Sequence, residues 1–253
     1  FLRGVGGWKP EDKPTHLYPL HEKYHLGGAG IGAMNHLGPD MKIGFDLGWG
    51  GILSKIRGYR DLNRPPDAAI CVQPADCWNL QVWKQKDGLT QTMYRRSLDE
   101  HARFYKMLGD LLDRISEREG RFIVLDFHSY NHRRAGSAEP PADPGLNPEI
   151  NVGTGSMDRQ FWSPVVDNFN AALAEADYLG RHLDVRENVK FRGRYLAQFV
   201  HARYPRTGCC LAIEVKKFFM DEWTGELDTG ALEALLAAIK VALVAAEKGL
   251  DAL

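Results

Sequence analysis

The chain of 253 residues carries 32 Lys plus Arg against 33 Asp plus Glu, a formal net charge of −1. A general nucleic-acid binder needs a basic surplus to neutralise phosphates, so no nucleic-acid partner is expected. With 44% hydrophobic and 26% charged residues, the composition is that of a folded globular chain and excludes a disordered one. A chain of this length buries roughly 70–75% of its unfolded surface and needs no disulfide staples. A single domain over residues 1–253 is expected, with residues 1–58 its least legible part.

No apolar run approaches the roughly 20 residues that cross a bilayer. Ala231 to Ala246, the longest candidate, is interrupted by Glu233 and Lys240 and reads as an amphipathic or buried helix. No basic segment leads an apolar core at the start, so neither a secretion signal nor a membrane partner is expected. Cys71, Cys77, Cys209 and Cys210 are too few and too irregular for a disulfide framework, and lack Cys-x-x-Cys spacing. The expectation is a cytoplasmic protein with reduced thiols.

In chain order, the first 58 residues are rich in glycine (Gly27-Gly28, Gly30, Gly32, Gly48, Gly50-Gly51), which fits loops and tight turns. Ala68 to Val72 reads as a short strand. Ser97 to Glu119 reads as a helix, with Ser97 as N-cap, Glu100 three residues on, and Phe104, Leu108, Leu111, Leu112 and Ile115 at helical spacing. Gly120 ends it. Arg121 to His128 is a nearly continuous apolar run whose polar groups come last, the pattern of a buried parallel strand. A loop rich in Pro, Gly and Asn follows to about Gly155. Phe161 to Leu179 reads as a helix, Cys209 to Val215 as a second buried strand, and Leu232 to Glu247 as a closing helix. Alternating helices and apolar strands predict an α/β fold, a three-layer α/β/α sandwich on a mixed, largely parallel sheet.

Ligand sites in open α/β sheets lie beyond the carboxyl ends of the strands. The first apolar strand ends in Asp126-Phe127-His128, and alternation puts Asp126 and His128 on one face. A carboxylate beside an imidazole is the usual device for orienting a metal-ligating or basic histidine. The second strand ends in Glu214, flanked by Lys216 and Lys217. Glutamate and histidine on neighbouring strand ends suit metal-assisted hydrolysis, in which Glu accepts and returns the proton. Arginines gather near these ends, and an arginine fork suits two-point binding of a carboxylate, so a small acidic substrate is expected.

These stretches resemble the N-formylglutamate amidohydrolase family. The resemblance is carried by Asp126-Phe127-His128-Ser129, Asp61-Leu62-Asn63-Arg64-Pro65, Asn151-Val152-Gly153-Thr154-Gly155, Asp184 to Phe191, and Ala212 to Gly225, in that family's order from about Asp61 to Asp228. It implies a metallocarboxypeptidase-like fold and a zinc enzyme, with one zinc per chain, that cleaves N-formyl-L-glutamate or a similar N-acyl acidic amino acid. The family's step belongs to histidine degradation. By position, His128 would bind zinc with Asp126 behind it, and Glu214 would be general base and acid. Arg64, Arg133, Arg134 and Arg186, with Asn63 and Asn131, would grip the substrate. The early histidine and acid that complete the family's metal site do not stand here in their usual contexts. The nearest candidates are His36 and Asp40, with Asp46 as another acid. A homodimer is kept open as the assembly.

Two other readings stay open. One is a non-catalytic member that binds a small molecule after losing upstream metal ligands. The other is a metallopeptidase, through that architecture or through His21-Glu22-Lys23-Tyr24-His25, which matches the H-E-x-x-H pattern of zinc proteases.

Overall fold

The computed structural model describes residues 29–33, 43–47, 91–133 and 138–253. The chain divides into two compact units, Phe1–Gly120 and Arg121–Leu253. In the first, β1 (Ala29–Ala33) pairs antiparallel with β2 (Ile43–Leu47). Its helix α1 (Gln91–Glu119) starts at Gln91, so Ser97 lies inside the helix and is not its N-cap. The good helix formers Gln91, Met93, Arg95 and Arg96 carry the helix through the capping signature. The expected strand at Ala68 to Val72 lies outside the described residues.

The second unit is built on β3 (Phe122–Tyr130), β4 (Ile150–Gly153), β5 (Val185–Glu187) and β6 (Gly208–Lys216). Its strands are ordered β3-β6-β4-β5; β3 and β6 run parallel, β6 and β4 antiparallel, and β4 and β5 parallel. The helices are α2 (Ser163–Glu175), α3 (Tyr195–Arg203) and α4 (Thr229–Asp251). This is the mixed α/β architecture expected, an open sheet flanked by helices.

Alternation along β6 sorts the two faces. Cys209, Leu211, Ile213 and Val215 join Ile150 and Val152 in one apolar cluster with Val165, Val166, Phe169 and Leu173 of α2 and Leu235, Ala238 and Ala242 of α4. The opposite face carries Gly208, against Tyr204 at the end of α3, and Ala212, against Gly193 just before it. Helices therefore cover both faces, and the α3 face holds the polar residues.

Three elements depart from the expected boundaries. The loop expected from Ser129 to Gly155 contains β4, whose four residues become a strand through their pairing with β6. Helix α2 stops at Glu175 because Ala176 turns extended, and Leu179 (φ 53°) and Gly180 (φ 79°) follow in the left-handed region. Pro164 sits in its first turn, where a missing N–H costs nothing. Helix α4 begins at Thr229 because the Asp228 side chain accepts from the Ala231 N–H at 2.9 Å. By length and composition α4 suffices to cross a membrane, contrary to the expectation that no segment does. In this structure it buries Ala231, Leu235, Ala238, Ile239, Ala242 and Ala246 in the core.

Candidate active site

The α3 face of β3 presents Asp126, His128 and Tyr130 in alternation. The apolar run from Phe122 to Leu125 buries the strand first, so the polar groups emerge only at its carboxyl end. Asp126 is fully buried, and its carboxylate meets His128 Nε2 at 2.6 Å. The parallel register sets Asp126 opposite Ala212, His128 opposite Glu214 and Tyr130 opposite Lys216. From the other side of β6, Asn151 stands opposite Glu214 and Gly153 opposite Ala212.

A segment from Asn188 to Arg194 lies across β4 on this face. Asn188 N–H donates to the Val152 carbonyl at 3.0 Å, and its side chain takes the Thr154 N–H at 2.9 Å. Fully buried Asn151 accepts from the N–H groups of Lys190 (2.8 Å) and Phe191 (3.3 Å) and donates to the Phe191 carbonyl (2.7 Å). Gly155 N–H bonds the Arg192 carbonyl at 2.8 Å. A side chain at Gly153 would bring its Cβ to 2.5 Å from the Gly193 nitrogen, so only glycine lets the backbones meet. Gly193 has φ +85°, the left-handed region that favours glycine.

Glu214 is pushed up to about 7, chiefly by burial. His128, Arg194 and Lys190 pull it down, and the Asp126 carboxylate adds to the rise. A carboxylate poised near neutrality suits a proton acceptor that must also give the proton back. Burial, aided by the negative Glu214, raises the Tyr130 phenol far above its ordinary range, so it stays neutral and donates to the Pro148 carbonyl. The Lys190 ammonium bonds Asn147 Oδ1 and lies 5.1 Å from the Tyr130 ring centroid.

Glu214, His128 and Asp126 are thus brought together. Asn131 directly follows β3. Arg133 is held through its backbone: its N–H donates to Glu222 Oε1, as does that of His132 (3.0 Å), and its carbonyl accepts from the Trp223 indole at 2.7 Å. Burial lowers the His132 imidazole, against the opposing pull of Glu222. Arg186 shares the polar face but stands on the edge strand, opposite Asn151 and roughly 10 Å of sheet from Glu214. Its guanidinium is engaged by Asp184 (2.8 and 2.9 Å) and by the carbonyls of Gly145 (2.7 Å) and Pro144, so it serves as a clamp on the 144–145 turn. His36, Asp40, Asn63, Arg64, Arg134 and the His21–His25 motif lie outside the described residues. Asp46 falls in β2, and its side chain is likewise not described.

The sequence pattern did not mark Asn151 as the anchor of the 188–194 segment, nor Lys190 and Arg194 as the cations acting on Glu214. Gly193 inside the cationic run Lys190-Phe191-Arg192-Gly193-Arg194 was the available signal, since glycine there marks a close backbone approach.

A metal finds a partial set of donors. Among the described residues no group of three His, Cys, Asp or Glu is arranged to hold one. His128, with one ring nitrogen fixed by a buried carboxylate, matches the oriented histidine of metal sites. A second histidine contact has the wrong direction for nucleophilic catalysis. His201 Nε2 accepts from the Cys210 N–H at 3.0 Å, so Nδ1 carries the proton and donates to Ser156 Oγ at 2.7 Å. Burial pushes His201 down to about 4.

A buried glutamate near neutrality beside a carboxylate-held histidine, at the carboxyl ends of parallel strands, is an arrangement suited to proton transfer in hydrolysis. The sequence matches the N-formylglutamate amidohydrolase family over residues 53–220, and the chain belongs to that family. Its fold is similar to that of the N-formylglutamate amidohydrolase of Ralstonia eutropha JMP134, with TM-score 0.53 and 18% identity over 77% of this chain and 74% of that one. A gene product of Agrobacterium tumefaciens is similar with TM-score 0.50 and 14% identity over 81% and 70%. No curated protein matches.

Proposed function

We propose that this protein hydrolyses N-formyl-L-glutamate to formate and glutamate, or a similar N-acyl acidic amino acid to its acid and amino acid, in a zinc-dependent reaction. The observation that carries the reading is the register pairing of buried Glu214 with His128, itself held by Asp126. In this reading His128 would hold the metal, with His36 and Asp40 as the candidates for further ligands. Bound zinc would supply a Lewis acid and a water of lowered pKa.

The protein's own residues do the rest. Asp126 fixes the His128 ring through Nε2. The Glu214 carboxylate takes a proton as water oxygen adds to the formyl carbon, and returns it to the amide nitrogen as the C–N bond breaks. Formate and glutamate leave. Arg64, Arg133, Arg134 and Arg186, with Asn63 and Asn131, orient the substrate, a contribution that lowers the barrier through positioning.

Formate and glutamate release from N-formyl-L-glutamate, measured on zinc-loaded and chelator-treated protein, tests this. Release that is lost with the chelator and restored by zinc is expected. No release from protein holding one zinc per chain would overturn the reading.

A further inference from the structure

The chain leaves β6 beside the end of β3, with the Lys217 N–H bonded to the Tyr130 carbonyl at 3.0 Å, and folds back before α4 begins. Phe218 and Phe219 pack against the core of this unit, and the Phe218 ring stands edge-on to Tyr178 at 5.4 Å. Met220 then pairs antiparallel with Leu227. The Asp221 N–H donates to the Glu226 carbonyl at 2.8 Å, and the Asp228 N–H to the Phe219 carbonyl at 3.0 Å. Asp221 also closes the tip: its side chain accepts from the N–H groups of Trp223 and Thr224, both at 2.8 Å, and its carbonyl from Gly225 at 2.9 Å. A hairpin rooted in the core thus holds Glu222 and Trp223 next to the segment that follows β3.

Both side chains grip that segment. Glu222 Oε1 accepts from the N–H groups of His132 (3.0 Å) and Arg133, and the Trp223 indole N–H donates to the Arg133 carbonyl at 2.7 Å. The His132 carbonyl accepts from the Ala142 N–H at 2.7 Å. All four backbone polar groups of these two residues are therefore bonded to groups outside the segment, where an ordinary surface loop leaves them to water. Glu222 is a poor choice for stability alone. Its second oxygen, Oε2, is buried and meets no donor among the described residues, and shutting a carboxylate oxygen away from water without one is unfavourable. A contact kept in spite of that, and directed wholly at the backbone beneath one arginine, fixes the point from which the Arg133 side chain extends.

We propose that Glu222, aided by Trp223, is a positioning residue for substrate binding: it fixes the His132–Arg133 backbone so that the Arg133 guanidinium meets a carboxylate of the acidic substrate. This rests on the hydrolase reading above, in which Arg133 orients the substrate. Glu222 acts through Arg133 and takes no part in breaking the amide bond.

The test measures N-formyl-L-glutamate turnover by zinc-loaded wild type, Glu222→Ala and Glu222→Gln, each with Arg133 intact and combined with Arg133→Ala, beside calorimetric titration with L-glutamate. Glu222→Ala should raise KM by about tenfold or more while kcat stays within about threefold, because the grip is made equally before and during the chemical step. L-Glutamate binding should weaken in parallel. Glu222→Gln keeps an acceptor for the two N–H groups and should recover most of the loss. In the Arg133→Ala background Glu222→Ala should change KM by less than about twofold, since residues that act as one unit do not add. Where Glu222→Ala does not fold, Trp223→Phe, which removes only the indole donor, carries the same test with KM raised about threefold, the scale of one hydrogen bond. Turnover by wild type with KM and L-glutamate binding unchanged in the variant overturns this inference alone. So does an equal loss with and without Arg133, or Glu222→Gln as impaired as Glu222→Ala. L-Glutamate binding that depends on Glu222 only while Arg133 is present, without turnover, upholds it and overturns the hydrolase reading. Neither binding nor turnover in wild type overturns both.

Discussion

Glu214 and His128 stand opposite each other on adjacent parallel strands, β6 and β3, with backbones roughly 4.8 Å apart as hydrogen-bonded neighbours. Register partners on parallel strands point to the same face, so the sheet itself sets their spacing. Rigid strands hold facing side chains more accurately than loops do. Glu214→Gln removes the proton acceptor but keeps the shape, so formate release should fall at least about a hundredfold, the usual scale of general acid–base catalysis. Zinc content should be nearly unchanged. Measured turnover close to wild type would remove Glu214 from the mechanism.

The same substitution should stabilise the metal-free fold. Glu214 is raised from 4.5 to about 7, so its contribution to stability is present below pH 4.5 and lost as pH rises through 7. At pH 8 the wild-type fold carries a buried carboxylate that the unfolded chain would solvate. Glu214→Gln removes that burden and should gain about 1–3 kcal/mol in urea denaturation of chelator-treated protein at pH 8. At pH 4 the gain should vanish. An equal gain at both pH values would show that it does not come from the buried charge.

In the proposed reading Asp126 would act on the metal through His128. Asp126→Asn keeps the size but loses the negative acceptor that orients the ring at 2.6 Å. Zinc affinity, read by chelator competition, should weaken by about 10–100-fold, the range seen for such supporting carboxylates. An unchanged affinity would mean that His128 is not a ligand.

Gly153 tests the seating of the 188–194 segment. In Gly153→Ala the new methyl would lie 2.5 Å from the Gly193 nitrogen and 2.7 Å from the Arg192 carbonyl carbon, and backbone has little room to yield. A loss of about 2 kcal/mol or more is expected, the upper part of the range for overpacking. Full stability by urea denaturation would show that the two backbones do not touch.

His201 makes the fold sensitive to acid. Its folded value is depressed from 6.5 to about 4, so the stability it contributes is present above pH 6.5 and lost as pH falls through 4. The loss sums to roughly 3 kcal/mol over that window. His201→Gln, which does not titrate, should flatten this part of the stability profile between pH 7 and pH 4. An identical slope in both proteins would assign the acid sensitivity to another group.

Much of the site was legible because strand ends announce themselves. The apolar runs before Asp126 and Glu214 mark buried strands, and alternation along the first sets Asp126 and His128 on one face. What escaped was short or contextual. Strands β4 and β5 have four and three residues, too few for a period to register, and exist through pairing with β6 and with each other. The contacts of Arg186 with Asp184 and the 144–145 carbonyls are likewise tertiary, since an arginine's type says nothing of its partners.

By itself the sequence determined the fold class and which polar side chains end the buried strands, because hydrophobic period and residue type act locally and survive any rearrangement of loops. Tertiary structure alone decided what the cations are bonded to. Charge is felt over distances set by the fold, and the carboxylate and two carbonyls that meet the Arg186 guanidinium come from segments its own position does not announce. The pairing of β6 with both β3 and β4 put His128, Glu214 and Asn151 in one row, and that row is a property of register, which no single strand contains.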